Sequence, residues 1–502
     1  MSSEVPPLAA RMSARRLSQS LGHWRRRGAR QGSADLAAGI RMLVLDGRLP
    51  PGTRLPAERE LTEALGVSRT MVTAALEQLR ADGLVASRRG AGSWVALPRG
   101  TGSRGGDTPM VGHGMIDLAR AAPFAMPGVA AAIEAATPRV AGELAEHGYY
   151  EYGIPELRQR IADRYVARGL PTTADQILVT NGAQHAFALA LQLLVSPGDR
   201  VLVESPTYCN ILDSIRAAHA IPVPVALTED GWDLDGVEAA LRQAAPRLAY
   251  FIVDFHNPTG LRLDAEGRQR LTAALTRTRT LAMVDETYVE IDLEGDPLDG
   301  PPPVASFAED VVITIGSASK AYWGGLRLGW LRAPREMVNR LVSVRPAIDL
   351  GSPVFEQVVL AQLLADSDRL LPPRRRELAR LRDVLAEELR ATLPEWSFRL
   401  PSGGLNLWCH LPAPVSTRIA VSAQNHGLRL APGSRFSAHG GLERWLRLPF
   451  VLAEDVLRDA VRRLGLASAS VCGADAGRAG GCGVGAAVRG GQDCEDGVVP
   501  AT

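Results

Sequence analysis

The chain has 502 residues and is 46% hydrophobic, enough for more than one buried core, and its net charge of +1 excludes a globally basic or acidic protein. No run of eighteen or more apolar residues occurs, and the basic start has no apolar segment behind it, so neither a membrane span nor a secretory leader is expected and the cytoplasm is the expected compartment. Five cysteines lie scattered without a C-x-x-C pair, which argues against a disulfide framework and leaves no metal site to propose.

The charge is unevenly spread. Residues 1–34 hold seven arginines against one glutamate, with few apolar residues and no period, and are expected to form a disordered basic arm. Residues 35–97 read as a separate small domain. Leu36, Ile40, Leu43 and Val44 recur at helical spacing, and a second short helix is expected over 58–65. After the turn Gly66-Val67-Ser68, a third helix over 69–82 has an apolar face of Val72, Ala75, Leu76 and Leu79, with Ser68 as its cap. Residues 83–95 read as a two-stranded wing with Arg88 and Arg89 at a glycine tip. A short helix, a turn and a helix with polar residues at its N-terminus has the geometry that enters a DNA major groove by that end.

The stretch Asp46-Gly-Arg-Leu-Pro-Pro-Gly-Thr-Arg-Leu-Pro-Ala-Glu-Arg-Glu-Leu61, then Leu65-Gly-Val-Ser-Arg-Thr70 and the wing, closely resembles the GntR-type winged helix. That resemblance implies contacts to double-stranded DNA from Arg59, Ser68, Arg69, Thr70, Thr73, Arg89 and Gly90. Charge alone does not reveal it, because residues 35–97 hold eight arginines against seven acids.

Residues 98–115, rich in Gly, Arg, Ser and Pro, read as a flexible linker. From 116 onward strands and helices alternate: strands over 176–180, 200–204, 248–254, 281–285 and 311–316, and helices over 183–194 and from about 210. Such alternation predicts an α/β domain with a mostly parallel sheet covered on both faces. Pro372-Pro373 is expected to break an Arg-rich helical region; a smaller α+β subdomain ends at 466 and a disordered Gly/Ala-rich tail follows over 467–502.

One residue stands apart. Lys320 is the only lysine in the chain, every other cationic side chain of the pair Lys/Arg being an arginine. An ammonium can lose its proton and attack an aldehyde whereas a guanidinium cannot, so Lys320 is a candidate Schiff-base residue. It lies just past the strand at 311–316, in Ser317-Ala-Ser-Lys320, with Arg327 seven residues on. Ser317, Ser319 and Arg327 suit a phosphate. The turn into the helix at 183 would aim the amides of Gly182, Ala183 and Gln184 at an anion. Tyr208, Asn257 in Asn257-Pro-Thr-Gly260, and Asp285 with Tyr288 close other strands and offer a stacking ring, an amide, a carboxylate and a hydroxyl. Arg447 supplies a fork suited to a carboxylate.

These motifs in this order resemble fold-type I, class I aminotransferases that bind pyridoxal 5′-phosphate, over residues 116–466. The resemblance implies Lys320 as the Schiff-base lysine and Asp285 on the ring nitrogen. Asn257 and Tyr288 would meet the ring oxygen, Tyr208 would stack on the ring, and Gly182, Ala183, Gln184, Ser317 and Arg327 would hold the phosphate. Arg447 would hold a ligand carboxylate. Tyr149 or Tyr150 would reach the neighbouring subunit's phosphate across a homodimer interface. A GntR winged helix ahead of such a domain resembles the MocR subfamily of bacterial regulators. That resemblance implies a transcription regulator reading repeated half-sites and sensing an amino acid or amine through exchange of the Schiff base. The alternative is a working aminotransferase with an accessory DNA-binding domain, since Asn257 and Asp285-Glu-Thr-Tyr288 leave residual catalysis open.

Overall fold

The computed structural model describes residues 11–22, 24, 32–45, 48–49, 52–88, 92–96 and 114–479. Helix α1 (Ala14–Leu21) starts at Ser13, whose hydroxyl accepts from the Arg16 amide at 3.2 Å. It overturns the expectation of a disordered arm for this part of 1–34. Leu17 and Leu21, one turn apart, are buried with Trp24 in the core of the small N-terminal domain. Two leucines in an Arg/Ser-rich stretch carry too little periodicity to announce a helix; only the partner surface makes it pay in apolar burial. Helix α2 (Gly32–Leu45) also starts ahead of residue 35 and adds Leu36, Ile40, Leu43 and Val44 to that core.

Helix α3 (Glu58–Leu65) is fixed at its start by Glu60, which accepts from the Ala57 amide at 3.0 Å. Helix α4 (Arg69–Ala81) has Ser68 at its cap, accepting from the Met71 amide at 3.3 Å, and buries the expected face of Val72, Ala75, Leu76 and Leu79. Strands β1 (Val85–Arg88) and β2 (Gly92–Val95) pair antiparallel, Val85 opposite Val95, as the wing.

Chain order continues through β3 (Ile116–Asp117), α5 (Val129–Glu143), α6 (Pro155–Ala167), β4 (Ile177–Thr180), α7 (Ala183–Leu194), β5 (Arg200–Ser205) and α8 (Cys209–Ala217). Next come β6 (Ile221–Thr228), β7 (Gly231–Trp232), α9 (Leu234–Ala244), β8 (Leu248–Phe251), α10 (Ala265–Thr278), β9 (Leu281–Asp285), β10 (Val312–Ser317) and β11 (Gly329–Arg332). Helices α11 (Arg335–Val344), α12 (Val354–Ala365) and α13 (Ser367–Thr392) lead into the smaller domain. That domain holds β12 (Ser397–Phe398), β13 (Asn406–His410), α14 (Ser416–Gln424), β14 (Leu428–Arg429), β15 (Ala431–Pro432), β16 (Trp445–Pro449) and α15 (Glu454–Ala479).

The large sheet has the order β4-β11-β10-β9-β8-β5-β6-β7. It is parallel except for β11, antiparallel to both neighbours, and the edge strand β7. Strands β4, β5, β8, β9 and β10 therefore end at one edge, where ligands of open α/β sheets bind. Side chains alternate between two cores: Val201 and Val203 join Phe187 of α7 and Ile211 of α8, whereas Leu202 joins Leu271 and Leu275 of α10. Strands β6 and β11 escaped the sequence reading. β6 is interrupted by Pro222 and Pro224, and β11 is only four residues long behind a glycine-rich turn.

Two other expectations fail. Helix α13 continues through Pro372 and Pro373, which remove the amides that would bond the carbonyls of residues 368 and 369 and crowd those carbonyls with their rings. Leu371, Leu378, Leu381 and Leu385 are buried along it, and that burial outweighs the two lost bonds. Helix α15 continues past residue 466 into the stretch read as tail, because Ala467 and Val471 pack into the main core. Small side chains made it read as tail. The expected linker at 98–113 and the end of the tail at 480–502 lie outside the described residues.

Candidate cofactor pocket and nucleic-acid interface

The strand edge assembles the expected groups. Gly182 caps α7 with φ 88°, a conformation that favours glycine, and a Cβ there would stand 3.2 Å from Arg327 Nη2. The guanidinium of Arg327 is thus laid directly over the first amides of α7, which together form an anion cradle. Gln184 adds its backbone, while its side chain donates to Ser214 Oγ at 2.5 Å. Ser317 Oγ accepts from the Ser319 amide at 3.2 Å, leaving its own proton to donate.

Lys320 follows in a wide helical turn over Ser319–Trp323. Its Nζ is half-buried, donates to the Ala121 carbonyl at 2.7 Å and lies 6.0 Å from the Tyr288 ring centre. Burial first, then the Arg447 guanidinium, lowers its pKa from 10.5 to about 8, against the opposing pull of Asp285. Near neutrality this amine is far closer to its nucleophilic form than an exposed lysine.

Asp285 ends β9 as a buried carboxylate that accepts from Tyr250 Oη at 2.6 Å and from the Thr287 amide at 2.8 Å. Tyr250 was not anticipated. It reads as one apolar member of an alternating strand, and only register places it beneath Asp285. Burial pushes the Tyr288 phenol up to about 12, so it stays a donor. Its hydroxyl faces Asn406 without a well-formed hydrogen bond. Tyr208, at the start of α8, is half-buried and accepts from Asn210 Nδ2 at 2.8 Å.

Arg447 comes from the other domain, on β16. Its Nη1 donates to Asn257 Oδ1 at 3.3 Å, its Nη2 to the Ala119 carbonyl, and its fork lies 5.0 Å over the Phe436 ring. Burial lowers its pKa. Phe436 and the Ala119 and Ala121 carbonyls had no signal in the sequence, since a packing aromatic and a main-chain oxygen carry no motif.

These groups fit pyridoxal phosphate one by one. An aldehyde meets an amine of lowered pKa, a ring nitrogen meets an anchored carboxylate, and a phosphate meets a helix N-terminus with an arginine. A phenolic oxygen meets the buried, unengaged Tyr288 hydroxyl. Tyr149 has 61% of its surface exposed, whereas the Tyr150 hydroxyl donates to Glu143 of its own chain at 2.6 Å.

At the other site, Ser68, Arg69 and Thr70 are exposed together at the start of α4, with Arg59 exposed on α3. The Arg69 side chain is 81% exposed, with Nε 3.9 Å from Glu58 Oε2. Thr73 differs from expectation in what it touches: its hydroxyl donates to Glu58 Oε2 at 3.0 Å, so it braces α4 against α3. Arg80 Nε donates to Ser87 Oγ at 2.9 Å and ties α4 to the wing. Arg89 and Gly90 lie outside the described residues.

Fold and site together define a winged helix joined to a pyridoxal-phosphate-type aminotransferase domain. Residues 33–95 match the bacterial regulatory proteins of the gntR family, and residues 125–464 match aminotransferase class I and II. The chain is 27% identical over 442 residues to the HTH-type transcriptional regulator YdcR of Escherichia coli, covering 82% of this chain and 93% of that one. It is 27% identical over 430 residues to the probable rhizopine catabolism regulatory protein MocR of Rhizobium meliloti, covering 80% and 86%. The crystal structure of the α-aminoadipate aminotransferase LysN from Thermus thermophilus, complexed with N-(5′-phosphopyridoxyl)-L-leucine, superposes with a TM-score of 0.66 at 27% identity, covering 72% of this chain and 94% of that one.

The chain belongs to the class I and II aminotransferase family and carries a gntR-type DNA-binding domain ahead of it, the arrangement of the MocR-like regulators. Its cofactor is pyridoxal 5′-phosphate. Among the described residues no helix is long and apolar enough to cross a membrane.

Proposed function

We propose that this regulator acts in the cytoplasm as a homodimer on repeated DNA half-sites, and that an amino acid or amine bound at the cofactor changes its grip on DNA. Lys320 holds the cofactor as a Schiff base, Asp285 keeps the ring nitrogen protonated, and Asn257 and Tyr288 meet the ring oxygen. Tyr208 stacks on the ring. Gly182, Ala183, Gln184, Ser317, Ser319 and Arg327 take the phosphate, Arg447 takes the effector carboxylate, and Tyr149 completes the phosphate site of the neighbouring subunit. Arg59, Ser68, Arg69, Thr70, Arg89 and Gly90 meet DNA.

The observation that carries the reading is the placement of Arg447. It stands on the small domain, bonds Asn257 of the large one and through its charge helps lower the pKa of Lys320, so a carboxylate arriving there meets both domains and offsets a charge that acts on the nucleophile. The test is a screen of amino acids and amines for a shift in the cofactor spectrum, followed by DNA binding and turnover with each hit. The expected compound alters both the spectrum and the DNA affinity, with turnover far below the roughly 1–10³ per second typical of enzymes. Transamination at enzyme-like rates, with DNA binding indifferent to the same compound, would favour the working aminotransferase instead.

A further inference from the structure

The winged helix does not stand clear of the rest of the chain. Met42 of α2 is 4% exposed and packs into the main core, while Leu36, Ile40 and Leu43 of the same helix serve the winged-helix core. Helix α2 lies against α14 of the small domain. At the end of α1, a Cβ on Gly22 would stand 3.0 Å from Glu443 Oε1 and 3.8 Å from Thr417 Oγ1. Glu443 is buried, and its carboxylate accepts from the Thr417 amide at 3.0 Å and the Thr417 hydroxyl at 2.8 Å, capping α14.

From this seam a short path of contacts leads to the effector site. The Thr417 hydroxyl meets Ser434 Oγ at 3.1 Å, in the turn Gly433–Phe436. That turn is packed tightly: a Cβ on Gly433 would stand 2.1 Å from the Leu442 carbonyl oxygen. At its far end the Phe436 ring underlies Arg447, and the Phe436 carbonyl accepts from the amide of Thr207, next to Tyr208, at 2.9 Å. One stiff turn therefore touches the carboxylate arginine, the cofactor wall of the large domain and the helix on which the winged helix is docked.

We propose that this seam transmits effector occupancy. A carboxylate taken by Arg447 displaces its hold on the Ala119 carbonyl and re-seats the guanidinium over Phe436; the turn shifts α14, and the winged helix docked on α14 moves with the small domain. The DNA-binding domain is then cargo of the small domain. The inference rests on the sensing role argued above. Coupling of this kind is a free energy shared by two sites, and it is read as the change in DNA affinity on occupancy.

Aminooxyacetate is a suitable probe because it carries both a carboxylate and an amine that condenses with the cofactor aldehyde. Its nitrogen forms the new C=N bond as the bond to Lys320 breaks, the two protons of its –NH2 pass to the lysine nitrogen, which leaves as the free amine, and no oxidant or reductant is consumed. The full-length, cofactor-loaded protein is titrated with its own upstream DNA, with and without aminooxyacetate, as wild type, Met42→Ser and Thr417→Val. In wild type the DNA dissociation constant is expected to change at least fivefold with the probe. In both variants the spectral reaction proceeds as in wild type, while the change in DNA affinity falls below twofold.

A wild-type response kept in full by both variants overturns the seam alone. No response in wild type, despite the spectral reaction, overturns the seam and the sensing role together. If a variant does not fold, hydrogen exchange on wild type decides. The probe is expected to change protection of amides in α2 and α14, and unchanged exchange there removes the proposal.

Discussion

The two functional regions hold their charges in opposite surroundings. On the winged helix Arg69 is 81% exposed and its neighbour Glu58 lies 3.9 Å away, so the field that meets DNA is set in water and screened over about 10 Å at 0.1 M salt. In the aminotransferase domain Arg447 and Asp285 are buried, Lys320 is half-buried, and just past β8 Arg268 meets Asp254 at 2.6 Å with both side chains fully buried. The same residue types therefore do different work. Exposed arginines give an affinity that salt can tune, whereas buried ones set protonation and geometry that salt barely reaches. A chain with one lysine sharpens the contrast, because arginine cannot deprotonate and keeps each buried charge in place.

The largest expected effect is at Lys320. Lys320→Ala should abolish the Schiff-base absorption, since no second lysine can take over, while circular dichroism stays that of the fold. Borohydride reduction of the wild type followed by peptide mapping should put the adduct on Lys320. In cofactor-free wild type the neutral amine is the attacking form, so with its pKa at about 8 the rate of cofactor capture should rise with pH and level off above 8. A rise continuing to pH 10 would mean that the pocket does not lower the pKa.

Next in size is the buried pair. Burial alone would push the Asp254 carboxyl up, but Arg268, Arg168 and Arg262 outweigh it and hold it below its usual range. Arg268→Ala leaves that carboxylate short of its closest partner and should cost about 3–5 kcal/mol in urea unfolding, with little dependence on salt. Arg268→Met combined with Asp254→Leu should recover most of it. A single variant within about 1 kcal/mol of wild type would show that Arg262, at 3.2 Å, suffices alone.

Smaller again is Arg69→Ala. Removing one phosphate or base contact should weaken specific binding roughly tenfold and reduce the log-log salt slope by about 0.9. Electrophoretic shifts across a salt series measure both. Specific binding unchanged at moderate salt would mean that α4 does not enter the groove by its N-terminus.

The contrast also explains what could be read from sequence. Lys320, Asp285, Asn257 and Gly182 stand at strand ends within short motifs, and the sheet order brings them to one edge as expected. Tyr250, Phe436 and the Ala119 carbonyl work through register or main chain, which leaves no mark on residue choice. Helix α1 and the continuation of α15 were missed because Arg/Ser-rich and Ala/Gly-rich stretches carry little apolar periodicity, and their folding depends on a partner surface distant in sequence. Pro372 and Pro373 were over-read. Each proline in a helix costs a hydrogen bond and crowds a carbonyl with its ring, and the buried leucine face of α13 outweighs both at these positions.

The smallest effect separates two roles of one residue. Ser68 caps α4 through the Met71 amide and is also expected to meet a phosphate, so loss of DNA binding in Ser68→Ala could come from either. Aspartate caps as well as serine, and its charge suits the positive end of the helix dipole, so Ser68→Asp should keep the thermal stability that Ser68→Ala loses, about 1 kcal/mol. Facing phosphates, however, the same charge repels. Ser68→Asp should therefore bind DNA more weakly than Ser68→Ala although it is the more stable protein. If stability and affinity instead fell together, with aspartate the better binder, Ser68 would act on DNA through the helix cap alone, and the N-terminus of α4 would not be in contact with the backbone.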